Sequence, residues 1–286
     1  MKFSSITFIS DYGNKDGYVG VVHSVLGSLV PEVKVIDLSH NIEPYSYKAA
    51  SLVLARASEY LNPGVVIAAV NPAGSRPIII EVGDGQSYLI GPDNGIFAPT
   101  VAIVGGATKA GLLNKSEYYL DSAGKLSDCR DIYAPIAAEI CNGVGIEQVS
   151  EMIDPVKLVP GLLAVSESVE DGSIASEVLW IDNFGNAQIN IEPDQIKDWG
   201  NDLSIEVNNM THSIVRVDNA TALDNNKVGF VVDSFGLLSL TVPKESVAER
   251  LNLVEGSSII FHNDAYKDSA PVSVSVEIGK SENSNL

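Results

Sequence analysis

Carboxylates and amides recur in this chain where an apolar run gives way to a glycine-punctuated polar loop, and such junctions are where side chains can do chemistry. Asp11 stands in Phe8-Ile9-Ser10-Asp11-Tyr12-Gly13, with Asp16 beyond it. A carboxylate at a strand end can accept two hydrogen bonds from vicinal hydroxyls such as those of a ribose. Turn formation and helix N-capping account for the same two residues without a ligand. Asn71 and Arg76 share a second loop, Asn71-Pro72-Ala73-Gly74-Ser75-Arg76, and Gly91-Pro92-Asp93-Asn94-Gly95 forms a third, a turn in which Asn94-Gly95 can supply positive φ. Asp128-Cys129-Arg130-Asp131 precedes a helix-like run that Asp131 could cap through its carboxylate. Asp182-Asn183-Phe184-Gly185-Asn186 and Ser234-Phe235-Gly236 read as turns from their residue types alone.

The elements that must position these loops follow from apolar spacing. Residues 2–9 are rich in Phe, Ile and Thr and read as a buried strand, and apolar residues from Val19 to Leu26 recur at helical spacing. Asp11 is thereby placed at the carboxyl end of a strand, where open α/β sheets bind small ligands. Strand-like runs at 33–38, 65–70, 78–82 and around Tyr88 alternate with helical patterns at 47–61 and 132–142. That alternation predicts an α/β domain with a largely parallel sheet covered by helices. Beyond Pro160 the pattern changes to short runs at 178–181, 187–191, 203–207, 213–217, 228–232, 237–242 and 257–261, with one helix at 246–253. A smaller β-rich, barrel-like domain is expected there. The expected division is an α/β domain at 1–160, a linker at 161–172, the β-rich domain at 173–280 and a frayed tail at 281–286. No internal repeat is evident.

Composition narrows the function classes. With 286 residues and 45% apolar content the chain can bury a sizeable core, and two domains are expected. Its 18 basic and 37 acidic residues leave a net charge of −19, which argues against nucleic acid or an anionic membrane as partner and suits a cationic ligand. Two cysteines, Cys129 and Cys141, are too few and too poorly spaced for a zinc site or a disulfide framework, so a reduced, cytoplasmic setting is expected. No run reaches the roughly 18 apolar residues of a membrane helix, and the N-terminal segment lacks the pattern of a signal peptide.

Seven motifs in this order resemble the S-adenosylmethionine hydroxide adenosyltransferases, or SAM hydrolases, together with the related fluorinases and chlorinases. They are Ser10-Asp11-Tyr12-Gly13 with Asp16, Pro44-Tyr45, Val70-Asn71-Pro72, Gly91-Pro92-Asp93-Asn94-Gly95, Arg130-Asp131-Ile132-Tyr133-Ala134-Pro135, Asp182-Asn183-Phe184-Gly185-Asn186 and Ser234-Phe235-Gly236-Leu237-Leu238. The resemblance implies a homotrimer whose active sites lie between the first domain of one subunit and the second domain of its neighbour. It gives Asp11 the ribose hydroxyls and makes Tyr45 the aromatic wall of the nucleoside pocket. Asp16 and Asp182 would meet the methionine ammonium, Ser234 its carboxylate, and Phe184 and Asn186 the adenine. Neither a metal nor another cofactor is implied, because the sulfonium is already an activated leaving group.

The reacting centre departs from the family pattern. The family's hydrolases place an aspartate, an arginine and a histidine around the attacking water. Here Asn71 occupies the aspartate position, Arg76 in a shortened loop is the nearby arginine, and Asp128 occupies the histidine position. Asn71 can hold water but cannot take its proton, whereas Asp128 could. An exposed loop acid at Asp128, and an Arg130 that simply pairs with Asp131, remain the structural alternatives. The function expected is cleavage of S-adenosylmethionine to adenosine and methionine by water at the ribose 5′ carbon. Two other readings stay open: a protein that binds S-adenosylmethionine or adenosine without turnover, and a halide-dependent 5′-halo-adenosine synthase, against which a carboxylate at Asp128 would act by repelling the halide.

Overall fold

The computed structural model describes residues 2–263 apart from 123, 126, 162–164, 170–171 and 225–226. The expected linker lies partly, and the expected tail wholly, outside these residues. The chain divides into two compact units, residues 1–163 and 164–286. Among the described residues no helix is long and apolar enough to cross a membrane.

The first unit runs β1 (Ser5–Ser10), α1 (Tyr18–Leu29), β2 (Lys34–Ser39), α2 (Tyr47–Ala57), β3 (Val65–Ala69), β4 (Pro77–Val82), β5 (Ser87–Pro92), α3 (Ala98–Ile103), β6 (Ala107–Leu112), α4 (Ala134–Cys141), α5 (Ile146–Val149) and β7 (Glu151–Ile153). Its sheet has the order β2-β1-β3-β5-β4-β6-β7. The first four strands in that order are parallel, and β1, β3 and β5 are buried as continuous apolar runs, as strands covered on both faces must be. The other three pair antiparallel, so the sheet is mixed where a largely parallel one was expected. The reason lies in the connection between β4 and β5. Gly83-Asp84-Gly85 turns the chain with positive φ at all three residues, and so short a link cannot carry the crossover that parallel strands need.

Close packing fixes the site end of this sheet. A Cβ on Gly91 would lie 2.5 Å from the Ala68 carbonyl oxygen and 2.9 Å from the Phe97 ring, so β5 approaches β3 only because residue 91 has no side chain. Gly91→Ala is expected to cost about 2–3 kcal/mol, read as a lowered denaturant midpoint with an unchanged m-value.

The second unit contains β8 (Glu167–Ser168), β9 (Ile174–Ile181), β10 (Ala187–Ile189), β11 (Asp202–Val207), β12 (Met210–Arg216), β13 (Val228–Val232), β14 (Leu238–Thr241), α6 (Val247–Leu251) and β15 (Ser258–His262). Seven strands close in the order β10-β14-β13-β12-β11-β15-β9, with β9 pairing back onto β10 and β8 attached outside. Closure removes the sheet edges. Phe230 and Phe261 meet edge to face at the core of this barrel, beside Leu238, Leu240 and Ile205.

Candidate active site

Asp11 follows β1 and organises the carboxyl end of the parallel strands. Its Oδ2 accepts hydrogen bonds from the backbone N–H of Tyr45 at 3.0 Å and of Asn71 at 3.3 Å. Both donors carry left-handed backbones, with φ of 69° and 47°, a conformation that costs a non-glycine residue roughly 1–2 kcal/mol. The carboxylate therefore gathers two strained residues from separate loops. Among the described residues Oδ1 makes no hydrogen bond, and its lone pairs can accept from the hydroxyls of a diol. Tyr45 is 72% exposed, leaving its ring open as a wall.

Asn94 holds the Asn71 segment from the other side. Its amide nitrogen donates to the Val70 and Asn71 carbonyls at 3.1 and 3.2 Å, while its oxygen accepts the N–H of Ile96. The turn expected at Asn94-Gly95 is present, with φ of 91° at Gly95, and it also clamps a neighbouring loop. Asp16 is exposed and does not cap α1, whose N-cap is Gly17 with φ of 71° and no side-chain cap. The capping account of Asp16 fails.

Asp128 begins a π-helical turn, Asp128–Tyr133, that runs directly into α4. Such turns concentrate at functional sites. Burial, reinforced by Asp131, raises the Asp128 carboxyl above the usual carboxylate range, the direction that suits a general base working near neutral pH. Tyr12, partly buried, packs against the core that contains Cys129, and burial raises both the phenol and the thiol above their ordinary values. At Tyr12 the neighbouring Cys129 and Tyr133, and after them Asp11 and Asp128, add to that effect. Arg130 pairs with Asp131 through Nε at 2.6 Å and a terminal nitrogen at 2.8 Å, and the N–H of Ser127 donates to the same carboxylate at 2.7 Å. That pairing holds Asp131 below the usual range and leaves it no role as a helix cap.

Arg76 is engaged by the turn that follows β5. Its Nε donates to the buried Asp93 carboxylate at 2.7 Å and a terminal nitrogen donates to the Lys157 carbonyl at 2.8 Å. Asp93 is further fixed by the N–H of Val159 at 2.9 Å.

In the second unit Asp182 is the hub of its own turn. Oδ1 accepts from the N–H groups of Phe184 and Asn186 at 2.8 and 2.9 Å, and Oδ2 from the Asn186 amide at 2.8 Å. The carboxylate keeps one oxygen only partly occupied, so the turn reading describes most of its bonding. Asn186 is held between Asp182 and the Thr241 hydroxyl at 2.7 Å, and Phe184 projects from the tip, 78% exposed. The turn beside the exposed Ser234 is built the same way. Asp233 Oδ1 accepts from the N–H groups of Phe235 and Leu237, and Gly236 has φ of 77° against 79° for Gly185. Asp-x-Phe-Gly occurs twice in the sequence, a short recurrence that a search for internal repeats passes over. Gln188 on β10 bonds the Asp233 carboxylate, tying the second turn to the strand that follows the first.

Known proteins share this order of domains. The family model for the SAM hydroxide adenosyltransferase N-terminal domain matches residues 6–150, and that for the C-terminal domain matches residues 176–260. A protein from Salinispora tropica named (R)-S-adenosyl-L-methionine hydrolase is 31% identical over 257 residues, covering 89% of this chain and 96% of its own. A fluorinase from Actinopolyspora mzabensis is more distant, 24% identical across 89% of this chain and 95% of its own. The crystal structure of a conserved protein from Thermotoga maritima superposes with a TM-score of 0.80 at 25% identity, over 90% of this chain and 99% of that one. With both domain models matched in order and a hydrolase relative aligned across nearly its whole length, the chain belongs to the SAM hydroxide adenosyltransferase family.

Proposed function

We propose that the protein hydrolyses S-adenosylmethionine to adenosine and methionine, water attacking the ribose 5′ carbon as the sulfonium leaves. The observation that carries this reading is the Asp11 carboxylate at the end of β1, which holds the Tyr45 and Asn71 backbones through one oxygen and leaves the other for a ribose. Asp11 binds the ribose and Tyr45 covers the nucleoside. Asn71 orients the water and Asp128 takes its proton as the C–O bond forms, while methionine departs with the C–S electron pair. Arg76 acts here by holding Asp93 and the following turn rather than by touching substrate. Asp16 and Asp182 meet the methionine ammonium, Ser234 its carboxylate, and Phe184 and Asn186 the adenine. The Asx-type turn of Asp182 supports this by presenting Phe184 outward at a fixed place. We place these groups in a cytoplasmic homotrimer, with each site completed by a neighbouring subunit.

Incubation of the purified protein with S-adenosylmethionine, with and without chloride or fluoride, is expected to give adenosine and methionine independent of halide. A 5′-halogenated nucleoside would move the chain to the synthase reading, and return of unreacted ligand would make it a binding protein. A solution mass other than three times that of the chain would remove the trimer.

A further inference from the structure

Three side chains outside the site described above converge at the outer end of β1 and β2. His23 on α1 brings Nε2 within 2.8 Å of Asp37 Oδ1, and His40, just after β2, brings Nε2 within 3.0 Å of the same oxygen. One potential donor atom from each residue lies within 4.8 Å of the other two. His40 is 7% exposed, and its Nε2 is fully buried without a hydrogen-bond partner of acceptable geometry. A buried imidazole nitrogen left in that state is costly unless something else occupies its lone pair. The other ring nitrogen, Nδ1, shares a 2.7 Å hydrogen bond with Ser10 Oγ. With the proton on Nδ1, Ser10 fixes the tautomer that leaves Nε2 unprotonated, the orienting role that partners of metal-bound histidines perform. Phe8 packs edge to face on the His40 ring at 4.6 Å and restricts its rotation.

We propose that His23, Asp37 and His40 form a binding site for a divalent first-row transition ion. Two imidazoles and one carboxylate are a donor set suited to zinc or iron(II). Around an ion with bonds of about 2.1 Å, adjacent octahedral donors stand about 3.0 Å apart, and the separations of 2.8 and 3.0 Å to Asp37 Oδ1 match that spacing. His23 and Asp37 are both partly exposed, which gives the ion an entry path and leaves room for water in the remaining positions. The ion would join α1 to β2 and, through Ser10 and the hydrogen bond from the Gly13 N–H to the His40 carbonyl at 2.7 Å, brace the loop that begins with Asp11. Ser10, the β1 partner of His40, directly precedes Asp11. Counting cysteines could not reveal it, because the ligands are imidazoles and a carboxylate from different elements.

The test uses tag-free full-length protein, dialysed against a chelator and titrated with Zn²⁺ and, separately, with Co²⁺. Expected are one Zn²⁺ retained per chain by elemental analysis, a Tm that rises with Zn²⁺ concentration, and cobalt d–d absorption that Zn²⁺ displaces. His23→Gln and Asp37→Asn are each expected to weaken Zn²⁺ binding at least 10-fold. His23 is the more informative position, since His40 lies in the packed interior and its replacement can disturb folding. Failure of the folded native chain to retain Zn²⁺ or Co²⁺ would overturn the site, as would unchanged Zn²⁺ affinity in folded His23→Gln and Asp37→Asn variants.

Discussion

Asp128→Asn is expected to bind S-adenosylmethionine with near-native affinity and to turn it over at least 100-fold more slowly, the scale on which a positioned general base acts. The amide matches the carboxylate in shape but cannot take a proton from water. Two further readouts separate this role from a structural one. Burial and Asp131 raise the Asp128 carboxyl, so the active base form is lost on acidification at a pH above the ordinary carboxylate range, and the native rate profile is expected to show its acid limb there. The sign for stability is opposite to that for activity. A carboxyl raised on folding contributes stability at low pH, and that contribution is lost as pH rises through its folded value. At neutral pH the ionised Asp128 therefore works against folding, and Asp128→Asn is expected to hold or raise Tm while activity falls. Single-turnover kinetics, ligand titration and thermal unfolding of the same preparation check all three. Full turnover in the variant would remove Asp128 as the base.

What the sequence discloses and what it hides divides along physical lines. The junctions at Asp11, Asn71 and Gly91 were legible because a buried parallel strand has to be an apolar run and the polar loop after it has to break that run. The antiparallel half of the sheet was hidden. β6 is Ala-Thr-Lys-Ala-Gly-Leu, with one β-branched residue, and it is a strand because β4 and β7 flank it rather than through its own propensity. Side-chain roles set by partners far along the chain were equally hidden. Nothing beside Arg76 shows that Asp93, a turn away in space but seventeen positions on, holds its guanidinium. At Asp182 the turn that residue types suggest is present, and the carboxylate accepts the N–H groups of Phe184 and Asn186. The left-handed backbone of Tyr45 has no local signature, because the carboxylate that holds it lies 34 residues earlier.

Asp11→Ala and Asp11→Asn together are expected to separate the two duties of that carboxylate. In the native chain Oδ2 fixes the N–H groups of Tyr45 and Asn71, and Oδ1 is the acceptor offered to a ribose. Alanine removes both functions. Affinity for any adenosyl ligand is expected to drop about 100-fold, equivalent to roughly 3 kcal/mol and consistent with losing charge-assisted hydrogen bonds, and stability is expected to drop as well because two left-handed residues lose their tether. Asparagine keeps an oxygen able to accept from both backbone N–H groups, but turns the other position from acceptor to donor. Its fold is expected to stay near native while ligand affinity remains at least 10-fold impaired. Adding Asn71→Gly to the alanine variant relieves the backbone cost at one of the strained positions, so part of the lost Tm is expected to return without the lost affinity. Isothermal titration with adenosine and with S-adenosylmethionine, alongside thermal unfolding, resolves the two effects. Native affinity in the asparagine variant would show that Oδ1 meets no hydroxyl, and the ribose would then have to be held elsewhere.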